Sequence, residues 1–270
     1  MLLANIGHDL QELSRGRFIL GLGSQIRPHI EKRFSMPWSK PAARMREYLQ
    51  ALRAIWACWN EGATLRFKGE FYTHTLMTPF FKPRANPYGA PRVFLAGVGP
   101  QMTEVAGELA DGFFVHPLHS ERSIVELTMP ALRKGLTASG RQLAGYEVVA
   151  QLLVAAGETD EELARARDAV KSQIAFYGST PAYRPVLDCH NFGAVGEELN
   201  KLSKRGDWAG MARVVPDALL DAVAVSGKTS EIAPEIRRRC GAYATRVSLV
   251  APYRPDPETW AEVALSLIHI

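Results

Sequence analysis

The sequence predicts an α/β protein built on a parallel sheet with helices outside it. Three observations carry this. Short apolar runs alternate along the chain with stretches of helical periodicity. The runs are bounded by glycine, as Phe18-Ile19-Leu20 is by Gly21-Leu22-Gly23. The clearest of them, Arg92 to Ala96, passes through Gly97-Val98-Gly99-Pro100 straight into a helix. Short, apolar and glycine-bounded is the pattern of a strand buried on both faces.

Each element has its own signal. Leu2, Leu3, Ile6, Leu10 and Leu13 recur at helical spacing, and Gly16 is placed to end that helix. Residues 25–40 are irregular and rich in Pro, His and Arg. Pro41 to Trp59 is a helix with one apolar stripe of Met45, Tyr48, Leu49, Leu52, Ile55, Trp56 and Trp59, and Pro41 suits its first turn. Residues 62–90 read as a short hairpin or extended excursion. After the strand Arg92 to Ala96, a helix carries Met102, Val105, Ala106, Leu109 and Ala110 on one face. Asp111-Gly112 turns the chain into a third strand, Phe113-Phe114-Val115, which ends at His116-Pro117. Ser120 caps a helix toward Leu136, which Pro130 should kink or split.

Tyr146 to Ala155 is a fourth strand. Thr159-Asp160-Glu161-Glu162 is a capping box opening a helix that buries Leu163, Ala166, Val170 and Ile174. Shorter helices broken by Gly193, Gly206 and Pro216 fill residues 178–225. Thr229 or Ser230 caps a helix reaching Cys240, Gly241 ends it, and Arg246 to Ala251 is a fifth strand. Ser266 to Ile270, with His269, reads equally as a helix end or as sequence foreign to the natural protein. With no fixed-period repeat, low-complexity tract or composition shift, residues 1–270 read as a single domain.

Composition excludes several classes. At 47% hydrophobic and 22% charged residues the chain is globular rather than disordered. The net charge of +4 is not gathered into a basic stripe interleaved with aromatics, so nucleic acid is not expected as a partner. Arg237-Arg238-Arg239 and Lys201 to Arg205 read as solvated helix faces. No apolar run reaches the roughly 18–20 residues of a membrane span, and no signal peptide is evident. Cys58, Cys189 and Cys240 are scattered, which argues for a reducing, cytoplasmic setting without a disulfide framework or a metal site.

The chemistry is concentrated in Val93 to Val115. Glycines let the backbone approach a ligand closely, and the free N–H groups and dipole of a helix start favour an anion such as a phosphate. Pro100 fits there because the helix has no use for its missing N–H. The alternative is a tight turn in which glycine serves packing alone, and a lone GxG does not separate the two.

Two segments carry a family resemblance. Arg92 to Val115, with its helix end Ala106-Gly107-Glu108-Leu109-Ala110-Asp111-Gly112, resembles the fifth and sixth strands of the luciferase-like monooxygenases and their "AxxxADG" motif. Leu13 to Ser24 is similar to the "LSxGRxxLGLGxG" segment of that family, with Gln25 standing where many members have glycine. Gly227 to Val250 fits the last helix and strand more loosely. Ile26 to Phe34 and Phe71 to Pro79 look most like the branch that uses the deazaflavin coenzyme F420.

The resemblance implies a (β/α)8 TIM barrel with its cofactor at the C-terminal ends of the strands, where such barrels place their chemistry. It assigns the cofactor phosphate to Gly97, Val98, Gly99 and Pro100, with Gln101 and Met102 opening the helix. It places Gly21, Gly23 and Ser24 along the ring or ribityl side. His116 ends the sixth strand of that scheme. As the candidate catalytic residue it is either a hydrogen-bond donor or proton carrier, or a histidine packed by Phe113 and Phe114. Arg27 and His29 are candidates for an anionic substrate, or solvated loop residues. Trp38, Trp56 and Trp59 are candidates for a pocket wall, the last two more simply core.

Only about five strands are legible, so by this resemblance the chain lacks the first three strand–helix units, roughly 70–90 residues; either Met1 is not the true start or the sequence is a fragment. An open sheet edge would follow, prone to pairing with another chain. The apolar helix faces permit a homodimer. The leading expectation is an oxidoreductase that moves a hydride between bound F420 and a small organic substrate. The alternatives are an FMN-dependent two-component monooxygenase and, in another class, an inactive fragment or non-catalytic interaction module. A dinucleotide-binding domain is disfavoured, because Gly21 to Ile26 lacks GxGxxG spacing.

Overall fold

The structure is a computed structural model that describes residues 1–268; His269 and Ile270 lie outside the described residues, and with them part of the expectation for Ser266 to Ile270. In chain order the elements are α1 (Leu2–Leu13), β1 (Ile19–Gly23), α2 (Pro41–Asn60), β2 (Phe67–Lys68), β3 (Thr73–His74), β4 (Arg92–Gly97), α3 (Pro100–Leu109) and β5 (Gly112–Val115). They continue with α4 (Glu121–Ser123), α5 (Met129–Ala138), β6 (Glu147–Ala156), α6 (Asp160–Gly178), α7 (Arg184–Asp188), α8 (Gly193–Arg205) and α9 (Trp208–Val214). The last are α10 (Asp217–Val223), β7 (Ala224–Gly227), α11 (Thr229–Cys240), β8 (Arg246–Val250) and α12 (Pro257–Ile268). The chain forms two compact units. The first is Met1–Phe113 with Ala131–Tyr146, and the second is Phe114–Pro130 with the chain from Glu147 onward.

In the first unit β1 and β4 pair in parallel, with Ile19 opposite Arg92 and Gly23 opposite Ala96. The stripe read on α2 is its buried face: Leu49, Leu52, Ile55, Trp56 and Trp59 are each at most 2% exposed. Burying side chains of this size contributes roughly 1.5–3 kcal/mol apiece. Trp56 is also oriented by a bond, its Nε1–H donating to the Ala4 carbonyl at 3.1 Å. The end of α3 explains the "ADG" motif. The Asp111 carboxylate accepts the Val93 N–H at 2.8 Å, and the Asp111 N–H donates to the Val93 carbonyl at 2.7 Å. A side chain at Gly112 would meet the Phe94 ring at 2.6 Å. Residues 62–90 hold the expected hairpin, β2 against antiparallel β3.

In the second unit β6 pairs in parallel with β7, Leu153 opposite Ala224, and with β8, Val149 opposite Arg246. Leu153, Val170, Ile174, Leu187, Leu199 and Leu219 form its core. The capping box of α6 is present. Thr159 Oγ1 accepts the Glu162 N–H at 3.2 Å, while Glu162 Oε2 accepts the N–H groups of Glu158 at 3.0 Å and Thr159 at 3.1 Å.

Several elements differ from expectation. Strand β7 begins inside residues 178–225, where the sequence predicts only short helices. It follows α10 with no glycine or proline between them, so Val223, Ala224 and Val225 continue an apolar run without a visible boundary. Helix α11 is capped at Lys228 rather than Thr229 or Ser230, through Glu231 Oε2, which accepts the Lys228 N–H at 2.8 Å. The helix expected from Ser120 is split before Pro130, by a five-residue π turn at Ile124–Thr128 between α4 and α5. π turns and proline are both recognised causes of such breaks.

Candidate functional site

The register of β1 on β4 brings most of the expected site residues together. Gly23 lies opposite Ala96, and a Cβ at Gly23 would sit 3.8 Å from the Ala96 Cβ. Ser24 therefore follows β1 beside the place where Gly97 ends β4. Gly21 and Gly23 are exposed, and Ser24 Oγ donates to the Gln25 carbonyl at 3.2 Å. Gln25 has φ +57°, a left-handed conformation that costs a non-glycine residue about 1 kcal/mol or more. A glycine at this position would take the same conformation without that cost.

The passage from β4 to α3 is open at its start. Gly99 is the N-cap, with φ −97° and ψ 160°, and no side chain caps the helix. Pro100 takes the first helical position. The first bond back into the turn is made by Thr103, whose N–H and Oγ1 both reach the Gly99 carbonyl, at 3.1 and 3.0 Å. Among the described residues the N–H groups of Gly99, Gln101 and Met102 meet no acceptor. Nothing would lie within 4 Å of a Cβ at Gly99, whereas one at Gly97 would meet the Met102 side chain at 2.9 Å. Neither conformation nor packing demands glycine at 99. Unpaired amides at the positive end of a helix are the chemistry that an anion-binding turn uses.

His116 belongs to the second unit, one residue beyond β5. The rings against it are Tyr183, stacked at 4.4 Å between centroids, and Tyr177, edge-on at 4.6 Å. Its Nδ1 accepts the Leu118 N–H at 3.1 Å, which puts the proton of the neutral ring on Nε2. Burial, with a smaller contribution from nearby His119, holds the His116 pKa down to about 4. The ring is thus neutral near pH 7, with its one N–H at Nε2.

His119, only 6% exposed, shares this depression to about 4, mainly through burial. Its Nδ1 meets the His116 carbonyl at 2.8 Å and its Nε2 faces the Tyr243 hydroxyl at 3.4 Å. The two tyrosines and His119 were not singled out from the sequence. The spacing of two histidines three residues apart after a strand was the available signal.

Other candidates resolve simply. Arg27 is exposed and paired with Glu31 at 3.0 Å, and His29 lies in the π turn His29–Arg33. Trp56 and Trp59 are core, but Trp38 lines a cavity of about 190 Å³ that also reaches Ser24. Arg238 is exposed and engages Glu235 as expected of a solvated helix face, but Arg239 is largely buried and also donates to the Ala224 and Asp221 carbonyls at 3.1 and 3.0 Å. Among the described residues no cluster of three or more His, Cys, Asp or Glu is placed to hold a metal ion, and no helix is long and apolar enough to cross a membrane.

With this geometry in view, comparison with known proteins defines the class. The luciferase-like monooxygenase family model matches residues 1–246, and the chain belongs to that family. An uncharacterised protein of Mycobacterium tuberculosis is 54% identical over 247 residues, covering 92% of this chain and 73% of that one. The 5,10-methylenetetrahydromethanopterin reductase of Archaeoglobus fulgidus is 30% identical over 254 residues, covering 92% of this chain and 71% of the reductase. Among solved structures, the coenzyme F420-dependent tetrahydromethanopterin reductase of Methanopyrus kandleri superposes with a TM-score of 0.77 over 97% of this chain and 76% of that one, at 21% identity. That likeness shows the fold: a mostly parallel sheet with helices, of the luciferase-like barrel type.

Proposed function

We propose that this chain is an oxidoreductase that binds the deazaflavin F420 and serves hydride exchange with a small organic substrate. The uncapped turn from β4 into α3 carries the reading: unpaired amides of Gly99, Gln101 and Met102 at a helix start, beside a glycine that the fold itself does not require. These residues, with Gly97, Val98 and Pro100, would hold the cofactor's phosphate. Gly21, Gly23 and Ser24 would lie along its ring or ribityl side. When bound, the deazaflavin supplies the hydride chemistry, and the protein supplies binding, orientation and electrostatics. The F420-dependent reductase of Methanopyrus kandleri supports the choice of coenzyme.

A fluorescence titration of the protein with F420, and separately with FMN, tests this. Saturable binding of F420 is expected. Gly99→Asp should weaken it tenfold or more, because a carboxylate at the N-cap occupies the amides. The same change should leave the melting temperature unchanged or slightly raised, since Asp is among the favoured N-cap residues. Preference for FMN would replace F420 by the two-component monooxygenase reading. Binding of neither by a folded sample would overturn the proposal.

A further inference from the structure

The cavity of about 190 Å³ in the first unit has walls of two kinds. Ile30, Trp38, Met45, Tyr48 and Tyr72 make it largely aromatic and apolar, and Arg44 is the one charged residue lining it. Its volume is that of a single six-membered ring with a substituent; an apolar cavity of roughly 150 Å³ is enough to bind benzene. Ser24, just beyond β1, forms part of the wall, and Ser24 stands beside the end of β4. The cavity therefore opens next to the turn assigned to the cofactor.

Arg44 is held but not satisfied. Its guanidinium lies over the Phe71 ring at 4.4 Å and its Nη2 donates to Ser39 Oγ at 2.8 Å. Its Nε is buried without a partner, and among the described residues no carboxylate lies within 4.0 Å of the group. A guanidinium offers five donors in a fork that matches a carboxylate.

The natural partner three residues along the same helix, Glu47, is engaged elsewhere. Its two oxygens accept the N–H groups of Glu70 at 2.9 Å, Phe71 at 2.7 Å and Tyr72 at 2.6 Å. This clamp fixes the hairpin between β2 and β3, and with it the Phe71 ring under Arg44 and the Tyr72 wall. It also removes from Arg44 the acid that an i,i+3 pair would have supplied. The N-terminus of α2 at Pro41 borders the cavity as well, with no side-chain cap, and adds to its positive character.

Resting on the proposed oxidoreductase function, we infer that this cavity is the substrate pocket and that it takes a carboxylate attached to a flat, apolar body about one ring in size, with Arg44 receiving the carboxylate.

The test is calorimetric binding of benzoate and of uncharged benzamide. Benzoate is expected to bind the wild-type protein at least tenfold more tightly than benzamide. Arg44→Gln should weaken benzoate at least tenfold and erase the difference between the two. Arg44→Lys should keep part of the preference, and Trp38→Ala should weaken both ligands alike, so the test survives if Arg44→Gln does not fold. Equal affinities in the wild type, no binding of either, or a preference that persists in Arg44→Gln would overturn the inference. A parallel F420 titration separates the two ideas. Benzoate binding without F420 binding sinks the cofactor reading and leaves the anion pocket, whereas F420 binding without benzoate binding sinks the pocket alone.

Discussion

The turn from β4 into α3 and the turn from β6 into α6 begin alike, with a strand, a glycine and a helix, and differ in what meets the helix amides. At α6 the third helical residue is Glu162, whose carboxylate reaches back to the amides of Glu158 and Thr159. At α11, Glu231 does the same for Lys228. At α3 the corresponding residue is Met102, and the amides stay open. Two residues before each N-cap stands a glycine that packing requires: a Cβ at Gly157 would run into the backbone of Leu163 and Glu162, and one at Gly97 into the Met102 side chain. The N-caps themselves differ: Thr159 caps α6 with its side chain, whereas Gly99 has none and a Cβ there would touch nothing within 4 Å. The second unit spends its polar groups on its own fold, closing His116 between tyrosines and burying His119. The first keeps a helix start and a guanidinium available to something outside. The proposed binding region is marked by the internal partners it lacks.

The largest test of this contrast is acid. His116 and His119 take up a proton near pH 4 when folded and near 6.5 when unfolded, so the stability they carry is intact above about pH 6.5 and is lost as pH falls to 4. Each contributes at most about 3 kcal/mol to that loss. Denaturant melts between pH 7 and 4 should show it, and His119→Phe should flatten the profile. An unchanged slope in that variant would remove His119 from the account.

Next in size is one substitution made at both turns. Gly157→Ala should cost about 2–3 kcal/mol of stability through its backbone clash. Gly99→Ala, at an N-cap with room for the methyl group, should cost at most about 1 kcal/mol while weakening F420 several-fold. Equal stability costs at the two sites would break the comparison. The smallest effect is Thr159→Ala, which removes one cap bond from α6. It should lower stability by about 1 kcal/mol and leave F420 affinity unaltered, as melting and titration of the same sample would show.

Much of the scaffold was legible because burial writes itself into spacing. The stripe on α2, the strand Arg92–Gly97 and the Thr159 box announce their roles locally. The glycine turn was also legible, although its openness was not: a GxG reads the same whether its amides are capped or free, and Met102 in place of a glutamate becomes informative only beside Glu162 and Glu231. Strand β7 was hidden by continuity with α10. Arg44 was invisible for another reason. On paper it is one basic residue near Glu47 on a helix, and nothing nearby says that the glutamate has turned to a hairpin far along the chain. The packing of His116 on Tyr177 and Tyr183 likewise joins residues separated by most of β6 and α6.

The grip of Glu47 on the hairpin has a further consequence for how this protein can change over generations. A side chain at Gly69 would collide with the Glu47 carboxylate. A larger residue at 69 must push the end of the Glu47 side chain aside, and with it the bonds to three amides and the aromatic wall they hold. The two positions therefore form a latch in sequence space. Trp38, Ile30 and Tyr48 line the neighbouring cavity outside that latch, so a change at any of them leaves the grip of Glu47 on the hairpin in place.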